Sequence, residues 1–333
     1  MESLGHLVLG KPPPLNGEWL KFEKDTELEA PKKKIASPLE RQPVYAEECR
    51  RRNAAILITG AKYHHLAKVT TQLLTATSSL DNAPIPLLCF SEAGTPQQAG
   101  FVILYLHGGG LMVGEADSEE LSCRRIAHDL EAFVISVGYR LMPTFPASTC
   151  LSDAIDAFEF VKIRFPGQKI VLVGSSSGGQ LAAAVSQTAK PGCLGGVVLR
   201  CPVTSDAGTS LEYVPESLRG AHTSATADFE TTLLPIFKRA VPRDGLPRLP
   251  LEAGIDELKA TGLPRTWIQV CTNDTLYSDG LCYAMLLRQA GVEVQVDVVE
   301  GWPHTFWLKA PQLEGAEAAE RKMMEGLKWV LEG

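Results

Sequence analysis

From about Leu66 onward the chain alternates short apolar runs of strand length with longer helical stretches. The runs cover residues 85–90, 101–106, 132–137, 169–173, 196–199, 266–271 and 293–299. Two of them, Phe101-Val-Ile-Leu-Tyr-Leu106 and Ile170-Val-Leu-Val173, are apolar throughout, the pattern of parallel strands covered on both faces. Val292, Val294, Val296 and Val298 instead alternate with Glu293, Gln295 and Asp297, which predicts a strand near a sheet edge with one wet face. Strands alternating with helices predict the α/β class, a mostly parallel doubly wound sheet.

Two stretches break this rhythm. The first fifty or so residues are rich in Pro, Lys and Glu, with apolar anchors at Trp19, Leu20 and Phe22, and predict an irregular or helical arm. Residues 205–262 contain Pro215, Pro235, Pro242, Pro247 and Pro250, no clear strand, and a short amphipathic piece over residues 229–240. A long structureless loop is rare in a compact sheet, so an insertion of this size is expected to be a lid. The expected organisation is an arm over residues 1–60 contributing to a helical cap, core over 61–204, cap insertion over 205–262, and core again over 263–333.

Composition narrows the function classes. The 333 residues are 45% hydrophobic and 21% charged, an ordinary globular balance. The formal net charge of −7 argues against nucleic acid as the main partner. The runs Lys32-Lys33-Lys34 and Arg50-Arg51-Arg52 read as solvated faces, because acidic residues surround both. No stretch approaches the ~18 apolar residues of a membrane helix, and Met1–Leu20 lacks the layout of a signal peptide. The eight cysteines are scattered without a C-x-x-C pair, which suggests a reduced, cytoplasmic protein. The seven histidines show no ligand spacing, so a metal site is not expected, and no organic cofactor is expected either.

The chemistry concentrates just past strand ends. Gly174-Ser175-Ser176-Ser177-Gly178-Gly179 follows the run 169–173 and precedes the helix opening Gln180-Leu181-Ala182-Ala183. This is G-x-S-x-G in a strand–turn–helix context, with Ser176 at the tight turn and helix amides pointing at the site. Its spacing fits neither a dinucleotide fingerprint nor a phosphate loop. His107-Gly108-Gly109-Gly110 ends the run 101–106, and its glycines can turn backbone amides toward a developing oxyanion. His107 precedes the turn and is expected to brace the loop. A reactive serine needs a base and an orienting carboxylate. Asp274 follows the run 266–271 and His304 follows the alternating run, giving the chain order Ser, Asp, His. Asp279 competes for the acid role but opens the helical run 280–289, where an N-cap duty is expected. His128 is expected at the surface.

These ordered motifs, together with Tyr139-Arg140-Leu141-Met142-Pro143, Asp274-Thr-Leu-Tyr-Ser-Asp279 and His304-Thr-Phe306, resemble the hormone-sensitive-lipase family of α/β-hydrolases over roughly residues 87–331. The resemblance implies Ser176 as nucleophile, His304 as base, Asp274 as its partner, and Gly108, Gly109 and Ser177 as oxyanion donors. It also implies a cap built from the arm and an insertion. The chain departs from the family at the elbow, where Ser175-Ser176-Ser177 replaces the usual Asp-Ser-Ala, and at Met142 and Thr144, where Ala and Glu are usual. Arm-bearing members with such departures also resemble hydrolases of fungal natural-product pathways. Leu111, Met112, Trp302 and Phe306, with Trp307, are candidate pocket residues, joined by Trp19, Phe22, Phe229 and Leu233 from the cap. They suggest a small or medium lipophilic ester or lactone as substrate. Acyl transfer or cyclisation with the same triad, and a ligand-binding receptor on the same fold, stay open at this point, as does the oligomeric state.

Overall fold

A computed structural model of the chain describes residues 4–27, 37–95, 100–229 and 243–333. The run Lys32–Lys34, most of the amphipathic piece 229–240 and the candidate pocket residue Leu233 lie outside the described residues. The arm contributes α1 (Gly17–Asp25) and α2 (Pro38–Leu57). Asn16 caps α1 through a side-chain bond to the Glu18 amide, and Ser37 caps α2 at Glu40. The central elements follow as β1 (Thr70–Thr77), β2 (Pro84–Ser91), β3 (Phe101–Leu106), α3 (Glu120–Asp129), β4 (Val134–Val137), α4 (Ala147–Arg164), β5 (Lys169–Ser175), α5 (Ser177–Thr188) and β6 (Leu194–Arg200). After an interval whose described residues include short 3-10 turns come α6 (Ile255–Thr261), β7 (Thr266–Asn273), α7 (Tyr277–Gln289), β8 (Val294–Pro303), α8 (Phe306–Lys309) and α9 (Glu314–Leu331).

The strands form one sheet in the order β1-β2-β4-β3-β5-β6-β7-β8. β2 runs antiparallel to β1 and β4, and the other pairings are parallel. The apolar run of β3 is explained by its two faces: Val102, Leu104 and Leu106 join the cluster under α4, α5 and α7. Ile103 and Tyr105 join the opposite cluster with Cys123 and Ile126 of α3 and Met323 and Leu327 of α9. The alternating strand is β8, and it lies at a sheet edge as expected. The other edge strand, β1, is absent from the expected runs. Its sequence Thr-Thr-Gln-Leu-Leu-Thr-Ala-Thr is mostly solvent-exposed and carries too little apolar signal.

The described arm combines α1 and α2 with an irregular stretch over residues 8–16, and it is anchored to the core through main-chain groups. Asn16 N–H donates to Gly301 O, Asn273 Nδ2 to Pro13 O, and the Gln42 side-chain amide to both Met112 O and Met142 O. Of the Arg50–Arg52 run, only Arg51 behaves as a simple solvated charge. Arg50 pairs with Glu115 and Asp117, and Arg52 donates to Leu308 O, so both tie α2 to the core. No helix among the described residues is long and apolar enough to cross a membrane.

Candidate active site

β5 ends at Ser175 and α5 begins at Ser177, so Ser176 alone makes the turn between them. It does so at φ 53° and ψ −121°, a strained left-handed conformation for a residue with a side chain. The flanking glycines are required by contact. A Cβ on Gly174 would stand 2.3 Å from Gly178 O, and one on Gly178 would stand 2.0 Å from Leu106 O. The turn is pinned by Ser176 N–H donating to Arg200 O at 2.8 Å. Leu111, Cys201 and Thr305, which also surround the site, hold positive φ as well.

The strand ends bring the three separated side chains together. His304 Nδ1 lies 2.7 Å from Asp274 Oδ2, and its Nε2 lies 2.9 Å from Ser176 Oγ. The carboxylate accepts the Nδ1 proton, which leaves Nε2 to accept the serine hydroxyl. The other oxygen, Asp274 Oδ1, accepts the Leu276 amide at 2.9 Å and fixes the carboxylate plane. Burial opposes protonation of His304, but Asp274 and Cys201 outweigh it and hold the imidazole above its usual range. Burial also opposes ionisation of Cys201, yet hydrogen bonds with Cys271 and His304 bring this thiol below its usual value.

The glycine loop is braced as expected. His107 stacks on Tyr139 with ring centroids 4.3 Å apart, and Tyr139 donates its hydroxyl proton to His107 O at 2.6 Å. Complete burial pushes the His107 pKa down to about 4, so the ring is neutral. The structure departs from the expected donor set at one position. Gly108 N–H donates to Glu119 Oε1 at 2.7 Å and is already committed. The amides of Gly109 and Gly110 and that of Ser177, at the first turn of α5, have no acceptor among the described residues. Glu119 and Gly110 are thus functional candidates absent from the sequence reading. The third glycine of the run was a visible signal for Gly110. Nothing local marks Glu119, which reaches the loop from the start of α3.

Other expected residues sort by their packing. Leu111 is buried beside the elbow, its amide donating to Ser177 Oγ at 3.1 Å, and Met112 is half-buried under Gln42. Trp302 and Phe306 were expected in the pocket. The structure puts them in an aromatic core cluster instead: they stack on each other at 4.2 Å and meet Trp19 edge-on, with Trp307 and Phe22 alongside. Phe229 is fully buried. Asp279 is not an N-cap. It lies inside the first turn of α7 and accepts from the Thr204 and Ser205 amides, while its Oδ1 meets His222 Nε2 at 2.8 Å. His128 is half-buried rather than a surface residue, and its Nδ1 lies 2.6 Å from Glu92 Oε1. Among the described residues one cluster has metal-ligand spacing: donor atoms of Cys201, Asp274 and His304 all lie within 4.8 Å of one another. Two of these three already form the Asp–His pair, so an ion there would displace that contact.

Comparison with known proteins agrees with this architecture. A family model described as alpha/beta hydrolase fold matches residues 103–308. The ethyl acetate hydrolase of Pseudomonas putida is 34% identical over 249 residues, covering 70% of this chain and 74% of that protein. The FAD-linked oxidoreductase pytB of Aspergillus terreus is 30% identical over 259 residues, or 73% of this chain. The matched stretch is 31% of that much longer protein. Among solved structures, a bacterial heroin esterase superposes with a TM-score of 0.74 at 22% identity, covering 96% of this chain and 98% of that one. Its likeness shows the fold. With the family model spanning well over half the sequence and the ordered motifs in place, the chain belongs to the α/β-hydrolase fold family, in its hormone-sensitive-lipase group.

Proposed function

We propose that the chain is a serine carboxylic-ester hydrolase that works through an acyl-serine at Ser176. The observation that carries this reading is the single imidazole of His304 lying 2.9 Å from Ser176 Oγ and 2.7 Å from Asp274. His304 takes the serine proton as Oγ bonds to the ester carbon, then delivers it to the departing alkoxide. Water, deprotonated by the same ring, releases the acid and restores the serine. Asp274 holds the tautomer and stabilises the imidazolium. The amides of Gly109, Gly110 and Ser177 hold the tetrahedral oxyanion, each donor supplying ~3 kcal/mol in the transition state.

The described residues within 1–60 and 205–262 form the cap over this centre. The hydrogen bonds of Gln42 to the carbonyls of Met112 and Met142, next to the glycine loop, support the arm's part in it. Leu111 beside the elbow and Met112 in the glycine loop favour a small or medium lipophilic ester or lactone. None of the eight cysteines forms a disulfide, which supports a reducing, cytoplasmic setting. The test is turnover of p-nitrophenyl butyrate together with labelling by a fluorophosphonate. Wild-type protein should do both, and Ser176→Ala neither, with a loss of about 10⁴-fold or more in kcat. Equal turnover by the two proteins would overturn the assignment.

A further inference from the structure

The usual acid of the elbow is missing here, because Ser175 stands before the nucleophile. The space beside it nevertheless contains a carboxylate. Glu119 is 3% exposed, and its Oε1 accepts from Ser175 Oγ at 2.5 Å and from Gly108 N–H at 2.7 Å. Its Oε2 accepts from Tyr105 Oη at 2.6 Å. Glu119 occupies the N-cap position of α3, yet its side chain makes no capping bond and turns toward the sheet instead. One carboxylate therefore joins three elements: the last residue of β5, the glycine loop after β3, and β3 itself. Ser175 Oγ would lie only 3.2 Å from a Cβ placed on Gly108, so position 175 borders the residue whose amide Glu119 holds.

We propose that Glu119 is a positioning residue that sets the glycine loop against Ser176, the acid having moved from the elbow to the start of α3. The proposal rests on the reading of Ser176 and the loop amides given above. The Gly108 amide, locked to Glu119, determines where the next two amides point. Ser175, locked to the same oxygen, holds the nucleophile in register with them. Misplacing oxyanion donors by as little as ~1 Å costs up to ~100-fold in rate, so a residue that touches no substrate can govern kcat.

The test uses the full chain and three measurements: p-nitrophenyl butyrate kinetics, inhibition by phenylboronic acid as a tetrahedral adduct of Ser176, and thermal unfolding. Glu119→Gln retains shape but offers one accepting oxygen. It should lower kcat by ~10–100-fold with KM within about threefold of wild type. Boronate affinity should weaken by a similar factor, since both report the oxyanion geometry. Glu119→Ala should fall further, and adding Ser175→Asp to it should return kcat to within about fivefold of wild type, a coupling that independent sites do not show. Wild-type kcat and boronate affinity in Glu119→Gln, or a Glu119→Ala deficit that Asp at 175 leaves untouched, would overturn the proposal. Should those variants fail to fold, Tyr105→Phe removes one donor from the carboxylate and is expected to lower kcat about threefold at constant KM; no change would count against it. Failure of the functional reading looks different, because wild-type protein itself would then neither turn over ester nor take the fluorophosphonate label.

Discussion

Asn273 and Pro303 face each other as the last paired residues of β7 and β8, so Asp274 and His304 leave the sheet side by side. That pairing depends on an irregularity. Up to Cys271 the partner in β8 is 28 residues on, whereas Asn273 pairs 30 residues on, so β8 carries two extra residues before the site. Gly301, at φ 80°, takes up the irregularity, with its N–H donating to Thr272 Oγ1 at 2.8 Å.

The first prediction concerns the base. In the proposed mechanism His304 must be neutral, so kcat/KM should rise with pH through the imidazole pKa. Burial lowers that pKa, but Asp274, with Cys201, outweighs it and raises it, so the acid limb is expected above the usual histidine value. Asp274→Asn should lower kcat by ~10⁴-fold and move the acid limb to lower pH, as a pH–rate profile of p-nitrophenyl butyrate hydrolysis would register.

Asp279 should behave differently despite its position five residues further on. It clamps the Thr204 and Ser205 amides and His222 and has no contact with the His304 ring among the described residues. Asp279→Asn should cost about 2 kcal/mol in urea unfolding and leave the acid limb in place.

Gly178→Ala tests the close approach behind the elbow. The added methyl would overlap Leu106 O, so α5 must move away from the end of β3. A stability loss of about 3 kcal/mol or more is expected by denaturant unfolding, with esterase turnover falling in parallel.

Beneath the site, Arg200 is completely buried, its guanidinium 2.5 Å from Glu320 Oε1 and 3.8 Å over the Trp307 ring. Glu320→Gln would leave this cation without its counter-charge. The expected cost is about 3–5 kcal/mol, measured as a lowered unfolding midpoint.

Much of the active centre could be read along the chain because strand ends are where an open α/β sheet presents its chemistry. Ser176, Asp274 and His304 each follow an apolar run, and that context was enough to choose Asp274 over Asp279. The polar edge strand β1 escaped notice, since Thr70–Thr77 owes its strand conformation to pairing with β2 rather than to its own composition. Trp302 and Phe306 looked like pocket residues because large apolar side chains near the proposed catalytic histidine serve core and pocket alike. Only their stacking against the arm separates the two roles.

Local sequence determined the elements and their order: runs covered on both faces, a turn whose glycines admit no Cβ, and, in the arm, helices opened by capping residues. These features depend on neighbours a few positions away. Tertiary structure decided what required distant partners. The Gly108 amide was claimed by a carboxylate from α3, the Asp279 carboxylate was drawn to a loop, and two extra residues in β8 brought an imidazole level with its acid. Hydrogen bonds are short-ranged and directional, so which donor meets which acceptor is settled only once the sheet register and the helix packing exist.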